Sequence, residues 1–202
     1  MLALNLADLG RYTDVVLLRT GAELSLRFAE PADAAALRDY FRSLSAGSRY
    51  NRLMGAAPEL PQTQLDKFVR AGDGGSYSVL ATVARGEDDA IIGEVRYAYH
   101  SEAASVEFGV SVADRWHGHG IGTALLSNLQ CRAAALGAVR LFGDTLRSNG
   151  ATLGLARKMG FAFSHFPGDW KQVRLEKAIA FAPQQIPCAS WRLAATGEAR
   201  PR

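Results

Sequence analysis

From Tyr12 to Leu18 the chain is apolar and β-branched, Thr20-Gly21 marks a turn, and Leu24-Ser25-Leu26-Arg27-Phe28 alternates apolar with polar positions. Two such segments around a turn predict an opening β-hairpin. The period then lengthens. Leu37, Phe41 and Leu44 recur at helical spacing behind Pro31 and Asp33, which suit a first helical turn, so a helix is predicted over roughly 31–45. A second helix is predicted from about Pro61 through Leu65, Phe68 and Val69. Between them, Ser48 to Gly55 is polar and aromatic and reads either as a substrate-side loop or as a helix linker.

At Ser76 the period returns to two. Tyr77 to Ala84, Ala90 to Tyr99 and Ala104 to Ala113 predict three strands joined by connections short enough to require antiparallel neighbours. Ile121, Leu125, Leu129, Ala133 and Leu136 then mark a long helix ended by Gly137. Val139 to Phe142 follows as a short buried strand, and Ala151 to Met159 as a helix ended by Gly160. Phe161 to Phe166 and Val173 to Lys177 complete the strands.

An antiparallel run feeding a late strand-helix-strand crossover predicts an α+β fold (α/β in three layers), with one mixed, mostly antiparallel sheet of about seven strands flanked by helices. Residues 1–177 read as a single domain, made of an N-terminal hairpin, two helices and a core over 76–177. Residues 178–202, with three prolines and no period, read as a C-terminal tail.

Composition narrows the function classes. Of 202 residues 48% are apolar, ample for one core. The net charge of +3 is too small to drive nucleic-acid binding, and no nucleic-acid partner is expected. No apolar run approaches the ~20 residues of a membrane span, and the first ten residues lack a charged n-region, so no membrane partner and a cytoplasmic location are expected. Cys131 and Cys188 have no metal-ligand spacing, and no metal is expected. The sequence leaves oligomeric state open, a homodimer included.

Glycine, at 20 residues, is in excess, and three glycines alternate in Trp116-His117-Gly118-His119-Gly120-Ile121-Gly122-Thr123, between a strand and the long helix. A helix start offers unpaired N–H groups and a partial positive charge, which side-chain-free positions let an anion approach, so a phosphate or pyrophosphate fits there. A P-loop would need Gly-Lys-Ser/Thr where the chain has Gly122-Thr123-Ala124. A dinucleotide fold could use Gly118, Gly120 and a ribose-binding Asp144, but its first glycine follows the strand more directly and its sheet is parallel. A glycine-rich turn without ligand is the remaining alternative.

His117-Gly118-His119-Gly120-Ile121-Gly122 resembles the Arg/Gln-x-x-Gly-x-Gly/Ala signature of the acyl-CoA-dependent N-acetyltransferase superfamily (GNAT). Asn149 to Phe161 is similar to the superfamily's second block, and Leu26 to Asp33 with Leu44 to Tyr50 looks like the acetyltransferase domain of Pat-type bacterial protein lysine acetyltransferases. The resemblance covers about residues 15–177. It implies a sheet splayed beside the 104–113 strand, with acetyl-CoA as cosubstrate. The Val110 and Val112 backbones would meet the pantetheine, and His117, Gly118, His119, Gly120, Ile121, Gly122 and Thr123 would hold the pyrophosphate. Asn149 would contact pantetheine or simply cap its helix.

Acetyl transfer to an amine requires a base, an oxyanion donor and a proton for the thiolate. The Pat-type resemblance assigns the base to Glu107, whose burial beside the strand would raise its pKa; a solvent-facing Glu107 is the alternative, with Glu94 in reserve. The Val110 N–H on a splayed strand is the candidate oxyanion donor. Many superfamily members carry a tyrosine acid where this chain has Ala156, and His117 replaces the usual Arg/Gln. Tyr97 and Tyr99 share a strand face and either line an acceptor cleft or pack. The expected reaction is acetyl transfer to a primary amine acceptor, a protein lysine first and a polyamine or antibiotic-like amine second, by direct attack in a ternary complex. A non-catalytic acyl-CoA sensor is the alternative that Ala156 keeps open.

Overall fold

In the computed structural model the described residues are 13–180 apart from 19, 86 and 87. They form strands β1 (Asp14–Leu17) and β2 (Glu23–Phe28) and helices α1 (Ala34–Ser43), α2 (Ala46–Leu53) and α3 (Gln62–Val69). Strands β3 (Ser76–Arg85), β4 (Asp88–His100) and β5 (Ser105–Val112) follow, then α4 (Ile121–Ala135), β6 (Arg140–Leu146), α5 (Gly150–Lys158), β7 (Ala162–His165) and β8 (Gln172–Ala178).

All eight strands join one sheet in the order β1-β2-β3-β4-β5-β6-β8-β7. Every neighbouring pair is antiparallel except β5 and β6, which the α4 crossover makes parallel. The mixed, mostly antiparallel α+β sheet is as predicted, with eight strands rather than about seven. Of the tail predicted over 178–202, residues 181–202 lie outside the described residues, as does Tyr12 of the hairpin.

Alternation along β3 shows how both faces are covered. Leu80 packs with Leu37, Tyr40 and Phe41 of α1 and Leu65, Phe68 and Val69 of α3. Its neighbours Val79 and Ala81 point the other way, into a larger cluster with Leu125, Leu126 and Leu129 of α4 and Ala156 of α5. Burying one such side chain stabilises the fold by ~1.5–3 kcal/mol. Among the described residues no helix is long and apolar enough to cross a membrane.

One connection differs from its sequence reading. The stretch expected as a loop or linker from Ser48 is a helix, α2, started by Ser45, whose side chain accepts from the Ser48 N–H. Asp114 completes the cap, accepting from the Ser45 N–H at 2.9 Å and from the Ser45 and Ser48 hydroxyls at 2.8 and 2.7 Å. The helix has no fully buried residue, which is why hydrophobic periodicity does not reveal it.

Candidate active site

Strand β5 parts from β6 midway along its length. Pairing with β6 ends at Glu107 opposite Phe142, whereas pairing with β4 continues to Val112 opposite Gly93. The Ala113 N–H donates to Ile92 O at 2.9 Å, and this fixes the ladder. Residues 107, 109 and 111 turn their backbone groups toward β4, and Phe108, Val110 and Val112 turn theirs into the gap. A ring nitrogen of His117 donates to the Val112 carbonyl there at 2.9 Å. At the head of the gap, a Cβ on Gly143 would lie 2.6 Å from the Phe108 carbonyl, so glycine lets β6 pass the last paired stretch before the strands diverge.

On one side of the gap lies a cavity of about 330 Å³ bounded by β5, the turn before α4, and α5. Val110, Val112, His117, Gly118, Gly120, Ile121, Gly122 and Thr123 line it together, joined by Thr152 and Lys158 of α5. The three glycines serve two different ends. Gly118 (φ 79°) and Gly120 (φ 90°) occupy the left-handed region with open space where a Cβ would sit. Gly122 is helical, and its Cβ would come 2.8 Å from Leu155 Cδ2, so it lets α4 and α5 approach. The first bond of α4 runs from the Ala124 N–H to Gly120 O, which leaves the N–H groups of Ile121, Gly122 and Thr123 ahead of the helical ladder. Side-chain-free turn, orphan donors and helix dipole together suit a pyrophosphate. His119 does not line this cavity: its ring packs edge-on against Trp116, with centroids 5.6 Å apart.

The other cavity, about 460 Å³, shares Val110 and Thr152 with the first and extends beneath α2 and α3. Glu107, Asn149, Arg52, Lys67 and Arg96 are among its walls. Asn149 caps α5 by accepting from the Thr152 N–H at 3.2 Å, and its amide nitrogen donates to Thr145 Oγ1 at 3.1 Å. The capping role is thus realised, at a position that also borders the gap.

The two candidate carboxylates are in opposite environments. Glu94 has 0% exposure, and Arg52 donates to it through Nε at 2.6 Å and Nη2 at 3.1 Å. Ser111 donates to the same carboxylate at 2.5 Å, and the Tyr40 hydroxyl donates to Ser111 at 2.9 Å. Burial, then the Glu94 charge, push the Tyr40 hydroxyl far above its ordinary value. Gly109 makes room for this network, since a Cβ there would meet Arg52 Nη1 at 2.8 Å. Glu107 is instead 52% exposed and lies 3.4 Å from His100 Nε2. The burial that the sequence reading expects for Glu107 is absent, because Val106 and Phe108 take the core side of β5.

Tyr97 is buried and stacked on Tyr77 with centroids 5.3 Å apart, and Tyr99 packs against the same core; Tyr97 also borders the larger cavity. Ala156 is buried on α5. Asp144, the ribose-binding candidate of the dinucleotide reading, is held by Arg174 through two contacts of 2.9 Å. Among the described residues no group of three His, Cys, Asp or Glu is placed to hold a metal. Sequence reasoning missed Arg52, Tyr40, Ser111, Arg96 and Lys67. Strand alternation was the signal available for Arg96 and Ser111, since it puts Glu94 and Arg96 on one face of β4 opposite Ser111 and Gly109; none pointed to the helical Tyr40, Arg52 and Lys67.

Relatives share this architecture. Acetyltransferase PA5475 of Pseudomonas aeruginosa is 26% identical over 156 residues, 77% of this chain and 84% of its own length. The GNAT domain of S. lividans PAT superposes with a TM-score of 0.75 at 23% identity, over 83% of this chain and 97% of that one. Spermidine N-acetyltransferase from Vibrio cholerae, in complex with CoA and spermine, gives a TM-score of 0.61 at 16% identity, over 77% and 95%. The sheet parted beside β5 and the open helix start agree with a match of the acetyltransferase (GNAT) domain model to residues 23–162, and the chain belongs to that family, as an acyl-CoA-dependent N-acetyltransferase.

Proposed function

We propose that this chain transfers the acetyl group of acetyl-CoA to a primary amine, first of all a lysine side chain of a protein, by direct attack in a ternary complex in the cytoplasm. The observation that carries the reading is the parting of β5 from β6, with two cavities that meet at Val110 and Thr152. Acetyl-CoA enters through the smaller cavity. The backbone donors of Gly118, Gly120, Ile121, Gly122 and Thr123 face its pyrophosphate, the backbone of Val110 and the Val112 N–H meet its pantetheine, and Asn149 borders the thioester.

The amine enters through the larger cavity. Glu107 receives its proton, while the buried Glu94, with both oxygens committed to Arg52 and Ser111, holds α2 and β5 in place. The amine nitrogen attacks the thioester carbon, the oxyanion is met by the Val110 N–H, and the C–S bond breaks as the C–N bond is completed. With alanine at 156 the departing thiolate takes its proton from water.

The lysine acceptor rests on the resemblance of Leu26 to Asp33 and Leu44 to Tyr50 to Pat-type domains. A polyamine is the second reading, but its additional ammonium groups would meet Lys67 and Arg96 in the same cavity. The test is acetyl-CoA binding by calorimetry together with CoA release over a panel of amines, for wild type and Glu107→Gln. Retained binding with turnover lowered about 10²–10⁴-fold in the variant supports the assignment. Tight binding without turnover of any amine by the wild type identifies a sensor, and absence of binding removes the reading altogether.

A further inference from the structure

The wall of the larger cavity carries a cation with no carboxylate in direct contact. The side chain of Arg96 on β4 makes no hydrogen bond or ion pair to the described residues, and its Nε is buried without a partner. Two of the carboxylates around it are paired elsewhere, Glu94 to Arg52 and Asp144 to Arg174, and the exposed Glu107, 3.4 Å from His100, reaches Arg96 only through the longer-range field. The guanidinium is held in place nonetheless. It lies 5.4 Å from the centroid of the Phe68 ring, and Arg52 lies 5.5 Å from the same centroid. Burial, then the Arg52 charge, lower the Arg96 guanidinium from its ordinary value, against the smaller opposing pull of Glu94 and Glu107. A half-buried guanidinium held by stacking, with its Nε unpartnered and no carboxylate in contact, is stabilised by a ligand that brings one.

We propose that Arg96 is a specificity-determining residue that binds an anionic group, a carboxylate, carried by the acceptor close to its reacting amine. The placement fits. In the β4–β5 ladder Arg96 lies opposite Gly109 and Glu107 opposite Ala98, so the two are diagonal neighbours on one face, ~7–8 Å apart at the backbone. An acceptor spanning them presents its amine to Glu107 and its carboxylate to Arg96. Lys67, also on the cavity wall, adds to the positive field. The carboxylate has two sources: an acidic side chain beside the target lysine, or the acceptor molecule's own carboxylate.

This inference rests on the acetyltransferase reading, and the experiment separates the two. CoA release at saturating acetyl-CoA is followed with two matched acceptor pairs: a lysine peptide with glutamate or glutamine beside the lysine, and an ω-amino acid or its amide. In the wild type the charged member is expected to win by about tenfold or more in kcat/KM, the range of one charged hydrogen bond. Arg96→Gln brings the ratio to about one, Arg96→Lys restores part of it, and neither changes the acetyl-CoA dissociation constant. Preference in the peptide pair assigns the carboxylate to a neighbouring side chain, and preference confined to the amino acid pair assigns it to a small acceptor. Turnover with a ratio near one in both wild-type pairs, or an equal loss for both members in Arg96→Gln, overturns the inference alone. No turnover of any amine overturns the acetyltransferase reading and this inference with it.

Discussion

The two cavities that meet at Val110 are built from different material. The smaller is a backbone site: left-handed glycines, orphan N–H groups at the start of α4 and the free edge of β5. The larger is a side-chain site, in which Arg52, Glu94, Ser111 and Tyr40 saturate one another and Arg96 is left over. Under the proposed function, backbone donors recognise a group that every acyl-CoA carries, whereas side chains set which acceptor is tolerated. Substitutions should therefore separate by cavity. Those around the glycine turn should act on acetyl-CoA, and those in the buried network on folding and acceptor choice.

The largest expected effect is on stability. Glu94→Ala leaves Arg52 buried and unpaired, a loss of about 3–5 kcal/mol in urea unfolding, whereas replacing both Glu94 and Arg52 by leucine should recover most of it. Equal losses in the single and double variants would show that the pair is not the source. Next comes the glycine turn. Gly120→Ala forces a Cβ onto a residue at φ 90°, at a cost of ~1–2 kcal/mol. Calorimetry should then show acetyl-CoA bound roughly tenfold more weakly with acceptor preference intact. If acceptor preference changed while acetyl-CoA affinity did not, the division between the cavities would be wrong. Tyr40→Phe removes the donor to Ser111 at the end of the network, a loss of ~0.5–1.5 kcal/mol by the same urea titration.

The smallest effect is a pH dependence. Burial acts against it, but the Ser45 N–H and the Ser48 and Ser45 hydroxyls together hold the Asp114 carboxyl at about 2, below its ordinary 3.8. Its folded value is depressed, so its contribution is present above pH 3.8 and is lost as pH falls toward about 2. Asp114 is exposed, and solvent screening keeps the contribution below ~1 kcal/mol. The difference in unfolding free energy between wild type and Asp114→Asn should shrink across that acid window. A constant difference would remove the cap from the account.

The same contrast decides what was legible in the sequence. The glycine turn announces itself, because a left-handed backbone leaves a glycine at a fixed place, and Gly118 and Gly120 are where the turn requires them. Gly122 is equally visible but is there for a different reason, the approach of Leu155, which depends on a helix distant in sequence. The strands from β3 to β5 were legible because their runs are rich in β-branched and aromatic residues and are set apart by short polar turns. Helix α2 was not, since it buries no residue fully, and with it went Arg52. Glu94 was visible only as a reserve base, because its partners come from α2 and β5 and no local spacing brings them together. The exposure of Glu107 follows from the alternation of Val106 and Phe108, which the sequence already displayed.

The central claim is that acetyl-CoA is held by the backbone donors at the start of α4. Backbone amide resonances followed during an acetyl-CoA titration test it most directly. The largest shifts are expected on Gly118, Gly120, Ile121, Gly122 and Thr123, with Val110 and Val112 moving at the same ligand concentrations. Saturable binding that leaves those amides unmoved would contradict it.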